Sequence, residues 1–390
     1  MNVFLVAALW MGLALAAALG SVQLGVSVAL VEIFLGFFAG NAFQFSTTPW
    51  IDFLAGTGSV VLTFLAGAEI DPDALRANWR ESLIIGFFSF LTPALGAFAA
   101  AYWIFGWSWQ GSQIAGVALS TTSVAVVYAV MVESGRNETP LGKIILAACF
   151  ITDLGTVVAL GLLFAHYDRW LAVFAVVTGA SIWAAPRFAR WLFRTVANRV
   201  SEPEIKFVLL LLFGLGGLAG VAGSEAVLPA YLIGLALARE FLKNRVLMHR
   251  MRAITFSLLT PFYFLKAGSY VSARALREGI LLIGAFFLVK MIAKGMGVYP
   301  WTRKFRFEQK TAIYTTLLMA TGLTFGTISA LFGLTHGYID QTQYTVLVTV
   351  VILSAFVPTV IAEKFFQPDE EPETNAAEAQ VTGAQVEEVR

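Results

Sequence analysis

The sequence predicts an all-α polytopic membrane protein of about 13 transmembrane helices, arranged as inverted five-helix repeats with two discontinuous helices that cross. Three observations lead there. Of 390 residues, 58% are hydrophobic and only 13% are charged, against roughly 25% charged in a soluble domain. Apolar runs of about 20 residues recur along the chain, the length that crosses a hydrocarbon core. Two of those runs carry clusters of hydroxyl residues near their middles.

Thirteen spans are expected, at about 3–20, 22–40, 51–68, 82–106, 111–133, 142–165, 168–185, 205–222, 225–240, 252–271, 279–298, 309–333 and 343–364. No Lys or Arg precedes Val3, whereas a cleavable signal peptide has a basic n-region; the first span reads as retained. The loops after spans three, five, seven, nine and eleven hold 18 basic residues, and those after the even-numbered spans only three, Arg169, Arg274 and Arg277. Basic loops stay in the cytoplasm. This places the N-terminus outside and the C-terminus inside, and a missed span would scramble the alternation. Residues 1–366 form the membrane domain. Residues 367–390, rich in Glu, Ala and Pro, read as a disordered acidic cytoplasmic tail.

Several features point away from soluble or enzymatic chemistry. Cys149 is the single cysteine and lies in an apolar run, and His166, His249 and His336 are scattered, so a metal cluster is not expected. No cofactor and no nucleic-acid partner are expected; the partner is the lipid bilayer. Gly214, Gly216, Gly217 and Gly220 resemble a dinucleotide loop, but no strand precedes them and close helix packing is the better account. The loops carry no Ser-Lys dyad, His-rich cluster or carboxylate pair of the kind membrane enzymes use.

Ionisable residues at membrane depth cost about 2.5–3.5 kcal/mol on insertion scales and are functional by default. Asp153 lies about 11 residues into span six, roughly 16 Å deep and near the bilayer midplane. Lys290 is similarly central in span eleven. A structural ion pair is the bland reading. The functional one is a protonatable carrier, because desolvation at that depth makes a carboxylate hold protons more readily. Lys294 lies one turn from Lys290 on the same face; snorkelling to the interface is the favoured reading, an accessory role the other. Lys266 either snorkels outward or lines a vestibule. Glu32, Glu69 and Asp71 are weaker candidates, with a solvated or structural role for Glu69 at least as good as one in ion access.

Span five contains Ser120, Thr121, Thr122 and Ser123 in a row; span twelve contains Thr315, Thr316, Thr321, Gly322, Thr324, Gly326 and Thr327. Isolated hydroxyls in membrane helices bond back to their own carbonyls. A run of four fits a helix break better. If spans two to six and nine to thirteen are two five-helix units, the odd count inverts them and both broken spans are the fourth of their unit. Matched interrupted helices mark a midplane binding site in inverted-repeat transporters, and their carbonyls and hydroxyls suit a small hard cation.

These residues resemble the bacterial monovalent cation/proton antiporters of the second branch, the group of the thirteen-helix sodium/proton and potassium-efflux antiporters. Gly67-Ala68-Glu69-Ile70-Asp71 is similar to a Gly-x-Glu-x-Asp helix end, Thr122-Ser123 to the Thr-Ser at the first break, Thr152-Asp153 to the paired polar site, and Lys290 to the basic residue facing it. The resemblance runs from about residue 3 to 364. It implies a homodimer in the bacterial inner membrane, a role in pH homeostasis, and a mobile core sliding on a scaffold. The core is expected at about 82–165 and 252–333, plus 51–68 and 343–364. It further implies exchange of Na+ or K+ for H+, with Asp153 as cation and proton site. Thr121, Thr122, Ser123 and Thr152 would lie around it, and Lys290 would be the counter-charge. Thr152 departs from the pattern, since that position is often acidic, so Lys290 is expected to pair with Asp153 itself and the cycle to be electroneutral. A potassium-efflux channel or gated antiporter, or a sodium-coupled organic-anion symporter on the same fold, are the alternatives.

Overall fold

The computed structural model describes residues 3–368 apart from 25–26, 44–46, 71–77, 135, 137–138, 165–168, 197–198, 200, 223 and 225. Asp71, His166 and all of the expected tail beyond residue 368 therefore lie outside the described residues. Among those described there is no strand. The helices are α1 (Val3–Leu24), α2 (Val28–Phe43), α3 (Pro49–Ala68) and α4 (Trp79–Ala99), which runs on through a π turn at Ala100–Ile104. Then come α5 (Trp109–Ser120), α6 (Val124–Glu133), α7 (Pro140–Leu163), α8 (Arg169–Val196), α9 (Pro203–Val221) and α10 (Val227–Lys243). The chain continues with α11 (Arg245–Ile254), joined by the π turn Thr255–Leu259 to α12 (Thr260–Ser269), and the short α13 (Ala273–Glu278). It closes with α14 (Ile280–Lys304), α15 (Gln309–Met319), α16 (Thr324–Thr335) and α17 (Gln341–Phe365).

The pairs α5/α6 and α15/α16 are each one interrupted crossing, and α11/α12 is one bent crossing. With them the 13 expected spans are all present as helices, and among the described residues nine are long and apolar enough by themselves to cross a membrane. The other four are α2 with 16 residues, α10 with 17, the broken α5/α6, and the crossing opened by the basic α11. Helix starts follow local chemistry. Pro at the first turn opens α3, α7 and α9, where its missing N–H costs nothing. The Thr139 hydroxyl accepts from the Gly142 amide ahead of α7, and Asp340 with Gln343 forms a capping box at α17.

The internal repeat is visible in which helices pack together. Number the spans in chain order: α3 on α10 is span three on nine, and α2 on α12 is two on ten, its image under exchange of the repeats. Likewise α4 packs on α5 and α7, while α14 packs on α15 and α17. The pairings α4 with α14 and α3 with α12 map onto themselves. Glycines carry the closest approaches in matched fashion. Added carbons at Gly36 and Gly268 would collide with the Leu265 and Ile33 backbones between α2 and α12. Those at Gly67 and Gly234 would collide with Tyr231 and Phe64 between α3 and α10.

Two expectations concern how the helices pack. Gly214, Gly217 and Gly220 have no described atom within 4 Å of an added carbon, so no described helix packs closely against them. Among the described residues helix α9 has no neighbour on that face, and sequence alone does not say which face of a helix is covered. The helices at 51–68 and 252–271, expected with the core, have each other, α2 and α10 as their main partners. The crossed helices pack instead with α4, α7, α14 and α17.

Overpacking a filled interface costs about 1–3 kcal/mol. Gly234→Leu is expected to lower the thermal midpoint of the detergent-solubilised protein accordingly, whereas Gly217→Ala should leave it in place. Equal midpoints for the two variants would remove the packing argument.

Candidate ion and proton site

Helix α5 stops at Ser120 because Thr121 turns to extended backbone (φ −64°, ψ 152°), and α6 resumes at Val124. The hydroxyl run supplies the partners that the lost helical bonds leave wanting. Ser120 and Thr121 donate back to the Val117 and Ala118 carbonyls, and Ser123 accepts from the Val126 amide. Helix α15 stops at Met319, and α16 begins after Leu323 (φ −151°, ψ −77°). The two breaks touch. The Ser123 amide donates to the Thr321 carbonyl at 3.0 Å, and the Thr122 hydroxyl donates to the Met319 carbonyl at 2.7 Å. All these polar residues are buried. Half-helix ends of both signs thus meet in one place, carbonyl ends from α5 and α15 and amide ends from α6 and α16.

Asp153 stands on α7 beside this meeting point. Cys149, one turn earlier on the same face, touches the Met319 sulfur at 3.8 Å, which fixes that face of α7 against the end of α15. The Asp153 residue is 1% exposed, and its Oδ1 has no hydrogen-bond partner among the described residues. Thr152 does not turn toward the breaks, because its hydroxyl donates to the Cys149 carbonyl at 2.7 Å.

Both lysines of α14 are fully buried, so Lys294 does not snorkel. Its ammonium donates to Ser89 and to Thr122, each at 2.9 Å. Lys290 donates to Ser354 at 2.8 Å, and a Cβ at Gly322 would sit 2.5 Å from its Nζ. The two cations therefore divide the breaks between them, Lys294 on the first and Lys290 on the second. Neither makes an ion pair with Asp153 among the described residues. Lys294, through Thr122, is the lysine tied to the first break, and Lys290, expected to pair with Asp153, is bonded to Ser354.

The remaining candidates lie elsewhere. Glu69 pairs with Arg252 at 2.7 Å and Lys266 with Asp52 at 2.6 Å. The two pairs join α3 to the bent α11/α12 crossing, one near each end of α3, and neither lies where the two interrupted helices meet. Glu32 is buried on α2. Three residues at the site escaped the sequence reading. Ser89 and Ser354 are single serines in apolar runs, which carry no signal beyond back-bonding. Tyr231 on α10 donates to the Phe150 carbonyl of α7, the helix that carries Asp153, at 2.9 Å; nothing in its sequence context marks it.

A buried carboxylate facing two crossed, interrupted helices inside an inverted repeat defines a secondary transporter of small ions, not an enzyme. Comparison with known proteins agrees. The family described as sodium/hydrogen exchanger, transmembrane, matches residues 6–366, and the chain belongs to that family. The chain is 24% identical to the probable Na+/H+ antiporter 3 of Methanocaldococcus jannaschii, over 87% of this chain and 89% of that protein. It is 25% identical to the Na+/H+-K+ antiporter GerN of Bacillus cereus, over 86% and 89%. The solved structure of the sodium proton antiporter MjNhaP1 from Methanocaldococcus jannaschii at pH 8 superposes with a TM-score of 0.68 at 15% identity. It covers 93% of this chain and 98% of that one, a likeness of fold.

Thr122 both donates to Met319 and accepts from Lys294. Thr122→Val should leave a buried ammonium short of an acceptor and cost about 1–3 kcal/mol, read as a lower thermal midpoint, with Thr122→Ser restoring it. A Val variant as stable as the parent would show that this tie carries no weight.

Proposed function

We propose that this protein exchanges a monovalent cation, Na+ or K+, for H+ by alternating access, with Asp153 holding proton and cation in turn. The observation that carries the reading is the buried Asp153 carboxylate oxygen left without a protein partner beside the two breaks. A carboxylate enclosed at that depth needs compensation. Either a proton or a cation can supply it, and each excludes the other. Backbone carbonyls at the breaks, with the hydroxyls of Thr121, Thr122 and Ser123, supply the remaining cation ligands. Thr152 takes the lesser part of orienting α7.

Lys294 is the counter-charge in this scheme. Held between Ser89 and Thr122, it offsets Asp153 when the site holds neither proton nor metal. Lys290 braces the second break. The moving body is the group α4–α7 with α14–α17, and the other helices form the scaffold and the contact with a second copy. The N-terminus lies outside and the C-terminus in the cytoplasm of the bacterial inner membrane. One carboxylate gives one cation for one proton, an electroneutral cycle.

Asp153→Asn, which keeps shape and loses the charge, should abolish dye-monitored exchange in proteoliposomes while the protein still elutes as a folded species; full exchange would refute the assignment. Competition at one carboxylate also sets a pH signature. In the range where protons occupy Asp153, the apparent KM for the cation should rise roughly tenfold per unit fall in pH, with the maximal rate unchanged. A KM that ignores pH would rule out a shared site. Solid-supported-membrane recordings should show little current on adding Na+ or K+, and a large one would exclude the electroneutral cycle.

A further inference from the structure

We propose that Tyr231 is a positioning residue, a latch by which α10 holds α7, and with it Asp153, in the place seen here. This rests on the reading of α4–α7 with α14–α17 as the moving body. Tyr231 is buried, and its hydroxyl donates to the Phe150 carbonyl at 2.9 Å. Phe150 lies three residues before Asp153 on α7. The Tyr231 ring stands edge-on to Phe325, with centroids 6.3 Å apart and planes at 77°. Phe325 is the second residue of α16. One side chain of α10 thus touches both the helix that carries the acid and the head of a half-helix at the second break.

The backbone beneath Tyr231 is not free to follow α7. A carbon added at Gly67 of α3 would collide with the Tyr231 carbonyl, and one at Gly234 with the Phe64 carbonyl. Helices α3 and α10 are therefore locked together on both sides of this residue. A fixed donor facing a sliding helix makes its bond in one end position and loses it once the helix has moved about half a turn, roughly 3 Å. A carbonyl oxygen has two lone pairs, so the Phe150 carbonyl takes the tyrosine hydroxyl without giving up its helical bond. One net hydrogen bond shifts a two-state equilibrium by about 2- to 10-fold. The latch thus biases which side of the membrane the empty carrier faces, a property separate from ion binding itself.

The test is Tyr231→Phe, which keeps the ring against Phe325 and deletes only the hydroxyl. The apparent KM for Na+ or K+ is measured on the cytoplasmic face in everted vesicles and on the outer face in right-side-out vesicles. One KM should rise and the other fall, changing their ratio by about 2- to 10-fold. A general loss of stability would lower the maximal rate and leave that ratio alone. Tyr314→Phe, whose hydroxyl bonds Glu363 inside the moving group, should leave the ratio unchanged. Phe325→Leu loosens the ring's seat and keeps the hydroxyl. It should shift the ratio the same way by less, so the test stands if Tyr231→Phe does not fold. A ratio that stays put in both Tyr231→Phe and Phe325→Leu, or two KM values that move together, overturns the latch. The moving-body reading is tested separately. A carbon added at Gly161 of α7 lies 3.3 Å from the Leu228 Cβ of α10, close to disulfide range. Gly161→Cys with Leu228→Cys should exchange when reduced and stop when oxidised. Full exchange by protein carrying the formed disulfide defeats that reading and the latch with it.

Discussion

An isolated carboxylate at membrane depth and a backbone that has stopped being helical are each costly in hydrocarbon, and here the two are placed so that each answers the other. Breaking α5/α6 and α15/α16 strips carbonyls and amides of their helical partners. Crossing them lets the Ser123 amide find the Thr321 carbonyl and the Thr122 hydroxyl find the Met319 carbonyl. What remains is a concentration of oriented dipoles in a buried interior, where electrostatics are strong. Asp153 faces that concentration with an oxygen to spare. The helices around the site serve to hold this meeting point in place.

Symmetry explains how one chain builds it. A repeat with an odd number of crossings inverts its copy, so a break at the fourth helix of each unit arrives at the same depth from opposite sides. The glycine contacts keep the outer helix pairs α2/α12 and α3/α10 tight in the same reciprocal way, and the two buried lysines are apportioned one to each break. The symmetry is not complete. Among the described residues α7 presents an acid to the crossing, while its counterpart α17 presents Ser354. That difference makes a single charged site out of a two-fold frame.

The sequence made some of this legible. Charge alternation between loops set the number of crossings. Four consecutive hydroxyls announced the first break, because isolated ones would have bonded within their own helix. Asp153 stood out because an acid near the midplane of an apolar run is costly there. Other parts were opaque for identifiable reasons. Lys290 and Lys294 share a helix face one turn apart, so which of them approaches Asp153 depends on how α14 is placed along its axis, a tertiary quantity. Ser89, Ser354 and Tyr231 matter through partners hundreds or tens of residues away. Gly214, Gly217 and Gly220 of α9 look like a packing motif in sequence and meet nothing described, while Gly36, Gly234 and Gly268, which do pack, lie in unremarkable surroundings.

The position of the Lys290 ammonium over Gly322 has an evolutionary corollary. The space where position 322 would carry its first side-chain carbon is already taken by the tip of a side chain from α14. Drift at either position is therefore conditional on the other. A descendant that trades the lysine for a shorter residue gains freedom at 322, and one that keeps it is held to glycine there. Two sites 32 residues apart in the chain form one heritable unit.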